Sequence, residues 1–242
     1  MNPTPLPARQ MSPMLLTAYV LLLLIAADLL CFALHLGRMF NPDFGTEYFS
    51  LEFDRGYGEF YQYIKEFWII LLLLRLGVLK RAAGFFVWAA AYTYLLFDDA
   101  KQFHERMGSR LSQSLELPEI LGMRSQDLGE LLVTGGAGVV LLTLLVICYW
   151  RESAAMRRFT RQLLVLTLTI GLMGVVVDMV HSILRHVASV YDWAGFIEDG
   201  GEMLVMSLVV WYLLTVTVRD GQPLESVVRT LREALSRVVR LS

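Results

Sequence analysis

The residues able to do chemistry fall into two short strings and one helical pair. Leu96-Phe97-Asp98-Asp99-Ala100-Lys101-Gln102-Phe103-His104-Glu105-Arg106 closes one apolar run, and Phe196-Ile197-Glu198-Asp199-Gly200-Gly201-Glu202 opens another. Between them, Asp178 and His181 stand three apart, which puts them on one face of a helix. Carboxylate mixed with imidazole is a donor set that suits zinc, iron or manganese. The expected ligands are Asp98, Asp99, His104, Asp178, His181, Glu198 and Glu202. A metal held by some of these would lower the pKa of a bound water toward about 7 and supply hydroxide for hydrolysis of a lipid-like or periplasmic substrate. Glu202 is expected as the general base and Asp98 as the second catalytic carboxylate. A non-catalytic metal or pH sensor, or a structural subunit of a membrane complex, would use the same residues.

These strings need elements to hold them, and composition indicates which. The 242 residues are 56% apolar and only 18% charged, with a mean hydropathy of +0.53. That is the profile of a membrane protein, and a net charge of −2 excludes a strongly basic nucleic-acid binder. A spanning helix needs roughly 20 mostly apolar residues. Six segments qualify, near 13–36, 60–81, 84–105, 129–150, 162–185 and 196–218. The fold expected is therefore an all-α polytopic bundle over residues 1–220, with the loops 37–59 and 106–128 on one side and both termini on the other. The apolar run after Arg9 has no small-residue cleavage site and reads as a retained first helix. Cys31 and Cys148 fall near opposite faces of the bilayer, too far apart for a disulfide.

Charge sets the orientation. Arg9, Arg75, Lys80, Arg81, Arg151, Arg157, Arg158, Arg161, Arg219, Arg229, Arg232, Arg237 and Arg240 all fall on the terminal side, so that side should be cytoplasmic in an inner (plasma) membrane. The outer side is left strongly acidic. From Pro223 to Ser242, Leu224, Val227, Val228, Leu231, Leu235 and Val238 recur at helical spacing among arginines. Residues 221–242 are thus expected to form a cytoplasmic amphipathic helix, drawn to anionic lipid or packed on the bundle. The bilayer is the one partner the sequence requires, and a second copy of the chain is admissible.

Depth gives the strings a common level. Asp28, Glu66, Asp98, Asp178 and Glu202 each lie 14–16 residues from the inner end of their spans, roughly 21–24 Å at the α-helical rise. His35, His104, His181 and His186 all fall just beyond that layer. Carboxylates inside a bilayer are costly and turn toward a cavity or a partner. Lys101, Arg106 and Arg185, a metal, or shared protons are the available compensation. The inner halves of the spans hold no acid and no histidine, which argues against a transporter.

The Asp98-Asp99 pair ahead of His104-Glu105-Arg106, the Glu198-Asp199-Gly200-Gly201-Glu202 opening and the Asp54-Arg55 pair together resemble a widespread, uncharacterised family of bacterial six-span integral membrane proteins. The resemblance implies the six-span layout and no activity. No His-Glu-x-x-His, Gly-x-Ser-x-Gly or Walker loop is present. Gly135-Gly136-Ala137-Gly138 falls inside a span and predicts close helix packing. Aromatics crowding Tyr57–Trp68 and Tyr191–Phe196 read as an interfacial belt, or as the mouth of a cavity for a lipid or quinone head.

Overall fold

The computed structural model describes residues 12–120, 123–177 and 188–239. Asp178, His181, Arg185 and His186 lie outside the described residues. Among those described, every regular element is a helix. They are α1 (Pro13–Phe40), α2 (Tyr57–Lys80), α3 (Ala83–Lys101), α4 (Phe103–Ser114), α5 (Ser125–Arg151), α6 (Ala154–Gly171), α7 (Ala188–Val218) and α8 (Val227–Val239). A π-helical turn, Leu172–Val177, continues α6.

Local chemistry starts and stops these helices. Ser12 accepts the Leu15 amide at 3.3 Å with Pro13 at the first helical position, and Ser153 does the same for Met156 at the start of α6. Arg81 between α2 and α3, and Gln102 between α3 and α4, both adopt left-handed backbone that ends one helix and redirects the chain into the next.

α7 is the axis of the bundle. Met203, Met206, Val209, Val210, Trp211, Tyr212, Leu213 and Val216 are all buried, as expected of a helix apolar on every side. α1, α2 and α6 pack around it, and α3 lies along α2. Phe85 of α3 meets Phe159 of α6 at 4.7 Å, and Phe159 stacks in turn on Tyr212 of α7. α5 sits at the rim, with Gly129 and Leu145 its buried residues. Its Val139, Val140, Leu132 and Trp150 are exposed.

Three stretches are long and apolar enough to cross a membrane by length and composition: Pro13–Phe40, Ser125–Arg151 and Gly195–Val218. This is fewer than the six expected. α2 carries Glu59, Lys65, Glu66, Arg75 and Lys80, α3 ends in Asp98 and Asp99 after three tyrosine and threonine positions, and α6 opens with Arg157, Arg158 and Arg161. Two further expectations are corrected. The stretch 106–128 is not a plain loop, because α4 occupies its first half and crosses α5 where Gly108 meets Gly129 backbone to backbone. Gly135, Gly136 and Gly138 face open space instead of a neighbouring helix. The amphipathic C-terminal helix forms as α8 and docks against α1, with Thr230 and Ala234 buried.

Candidate functional site

The site is built above a buried ion pair. Lys65 of α2 and Asp28 of α1 are both 0% exposed, with Lys65 Nζ 3.0 Å from Asp28 Oδ1. The ammonium also donates to the Met203 carbonyl at 2.8 Å and to Ser207 Oγ at 3.4 Å, while the Ser207 hydroxyl donates to Asp28 Oδ2 at 2.6 Å. The Tyr61 ring covers the ammonium at 4.5 Å, and the Tyr61 hydroxyl donates to the Leu24 carbonyl. All three ammonium protons have acceptors, the condition under which a buried charge is tolerated. The pair is therefore a closed lock between α1, α2 and α7. Lys65 is the cation that sequence reasoning missed: Lys101 and Arg106, expected to compensate the acids, are exposed instead.

Glu66, the next residue, faces the other way. It is 1% exposed, its carboxyl points toward those of Asp99 and Glu202, and its Oε2 has no hydrogen-bond partner. Above it opens a cleft of about 190 Å³. The cleft is lined by the carboxylates of Glu52, Asp54, Glu59, Asp99, Glu105, Asp199 and Glu202, together with Gln62, Gln102 and His104, and among the described residues no Lys or Arg lines it. The first long loop supplies one wall. It is fastened by the Leu51 amide donating to His35 Nδ1 at 3.0 Å and by Gln102 Nε2 donating to Asp54 Oδ2 at 2.8 Å.

The break at Gln102 gives Asp98 its role. With the chain turned there, Asp98 Oδ1 accepts the His104 amide at 2.9 Å and Oδ2 lies 3.0 Å from His104 Nδ1. One carboxylate thus caps α4 and orients the imidazole that lines the cleft. That hydrogen bond holds the His104 imidazole above its ordinary pKa, against the opposing effect of burial. On the far wall, Glu202 lies directly against the Cα of Gly174 inside the π-helical turn, and Glu52 packs in the same way on Gly195 of α7. A side chain at either glycine would displace the carboxylate. Single π-helical turns recur where a helix must present a site.

Of the residues expected to act, Asp99, His104 and Glu202 line this one cleft, and Asp98 joins it through His104. Glu198 is one turn from Glu202 on α7 but is not part of the lining. Asp178 and His181 fall outside the described residues, and among the described residues no group of three His, Cys, Asp or Glu could hold a metal ion. The sequence places Glu66 in the acidic layer, and Asp199 and Asp54 in the short motifs, but marks none of the three as a ligand; it does not single out Glu52 and Glu59. Glu66 carried a usable signal, a carboxylate within an apolar run at the level of the other acids, whereas the loop residues carried none.

No curated protein and no solved structure matches the chain. The stretch from α1 to the end of α7, with the cleft residues it carries, is what a family model covers: residues 14–218 match the domain of unknown function DUF8692, and the chain belongs to that family.

Proposed function

We propose that the chain is a six-span plasma-membrane protein, with both termini cytoplasmic, whose outward cleft binds a hydrated divalent cation. The spans are α1, α2, α3, α5, α6 with its π-helical continuation, and α7. The polar residues of α2 and α3 fit this reading because Lys65, Glu66 and Asp98 are turned into the bundle, where lipid does not meet them.

The observation that carries the cation is the number of carboxylates on one cleft, seven, with the buried Glu66 and its unpartnered Oε2 beside them. Carboxylates gathered at this density favour a cation or a proton among them. Oxygen donors far outnumber the single imidazole, so the set suits magnesium or manganese better than zinc. Magnesium-like ions keep most of their waters and take only one or two carboxylates directly. Such binding does not require three converging ligands. A water polarised by the ion, with Glu202 as base, would give the hydrolytic chemistry expected from the sequence.

The test is titration of the purified protein with manganese, followed by electron paramagnetic resonance. Saturable binding displaced by magnesium is expected, weakened at least tenfold by Glu202→Gln, Asp99→Asn and Glu66→Gln and unaffected by the remote Glu225→Gln. Absence of saturable binding at millimolar manganese, or equal binding by all four variants, would end the proposal.

A further inference from the structure

Helix α8 has three faces. Thr230 and Ala234 are buried, and Val227, Leu231 and Val238 pack on the core beside α1. At about 100° per residue these five share one face. Val228 and Leu235, seven residues apart and so on one line, border that face and are 67% and 38% exposed. The rest of the circumference is polar: Arg229, Arg232, Glu233, Ser236 and Arg237 are exposed. Arg229 pairs with Glu233 at 2.9 Å, whereas Arg232 and Arg237 have no acidic partner among the described residues.

The position of α8 along the bundle is set by α7. Glu202 in the cleft and Val218 at the end of α7 are separated by about half of that helix, roughly 24 Å at the α-helical rise. α8 follows after a short turn that is tied to α6 by Gln162 Nε2 donating to the Leu224 carbonyl at 2.5 Å. Around the same end Arg75, Lys80, Arg158, Arg161 and Arg219 are exposed.

We propose that α8 is a lipid-reading helix: the Val228–Leu235 edge enters the acyl boundary of the bilayer, and Arg232, which flanks that edge while Arg237 lies on the opposite side of the helix, holds the headgroup of an anionic phospholipid. A two-faced helix docked on the bundle would be polar over all its free surface. The apolar edge beside the docked face needs a hydrocarbon neighbour, and a helix at the end of a spanning bundle meets one in lipid. An arginine left free next to that edge matches a negative headgroup and has nothing to gain from a neutral one. A basic residue near an anionic surface is worth about fivefold in affinity, which is the preference expected of Arg232. This inference concerns the end of the molecule opposite the cleft and does not rest on cation binding there.

The experiment uses the full chain with Cys31→Ala and Cys148→Ala, carrying Val228→Cys or Ser236→Cys labelled with an environment-sensitive fluorophore. The protein is placed in nanodiscs of phosphatidylcholine with or without phosphatidylglycerol. The label at position 228 should be shielded from an aqueous quencher and the label at 236 exposed. Native mass spectrometry should show phosphatidylglycerol retained over phosphatidylcholine by roughly fivefold, falling to near parity in Arg232→Gln. Equal quenching at both positions, shielding at both in every lipid (which would mean a protein partner or a second copy), or unchanged retention by the arginine variant would each overturn the proposal. Manganese titration of the same samples reports on the cleft separately.

Discussion

Lys65 sits in a part of the molecule with no water to solvate it, and its neighbours have been arranged around that fact. Removing the ammonium alone leaves the Asp28 carboxylate buried without its counter-charge, a change that costs about 3–5 kcal/mol. Lys65→Met should therefore unfold at markedly lower denaturant than the wild type in detergent, and Asp28→Leu/Lys65→Met should recover most of the difference. A Lys65→Met protein as stable as the wild type would mean that the pair is not holding α1, α2 and α7 together. Depth arithmetic places Asp28, Glu66, Asp98 and Glu202 at one level, and the structure keeps these four in the same half of the bundle. What arithmetic along one helix lacks is azimuth between helices. It therefore missed that Asp28 turns to Lys65 while Glu66, one residue along, turns to Asp99 and Glu202.

At the scale of elements, glycines separate contacts that need closeness from surfaces that do not. A methyl group on Gly129 would run into the Gly108 backbone, and one on Gly108 into the Glu130 backbone, so the crossing of α4 over α5 depends on both. Gly129→Ala should cost about 1–3 kcal/mol as overpacking. Gly135→Ala, which meets nothing within 4 Å, should be neutral or stabilise by about 0.5–1 kcal/mol through helix propensity. Melting both variants alongside the wild type checks the contrast, and equal effects would contradict it. The apolar runs of α1, α5 and α7 were legible because nothing but a helix uses such length of hydrophobic sequence. α4 was not, since a short polar helix (Phe103–Ser114) has the composition of a loop and is made by the turn at Gln102 and the Asp98 cap. The wall formed by Leu51, Glu52, Phe53 and Asp54 has no periodicity to read, and only the fold brings it over the cleft.

The acidic cleft and the exposed arginines around the start of α6, the end of α7 and α8 lie at opposite ends of the molecule, and this polarity predicts how it sits in the membrane. A reporter fused after Leu117 should register outside the cytoplasm, and one fused after Ser242 inside it. A cytoplasmic signal at Leu117 would reverse the orientation of the cleft. The ion pair has a further consequence for how such a molecule is made. In the six-span reading proposed above, α2 carries both Lys65 and Glu66 into the bilayer, where a charge at mid-span costs up to roughly 3.5 kcal/mol on leaving the translocon. Asp28 emerges earlier on α1, so the two nascent helices can leave together as a neutralised hairpin. The Met203 carbonyl and the Ser207 hydroxyl that complete the ammonium's shell arrive only with α7, the last span of the bundle. In that reading assembly is complete only once α7 is made: until then the first hairpin holds a lysine that lacks its Met203 and Ser207 acceptors.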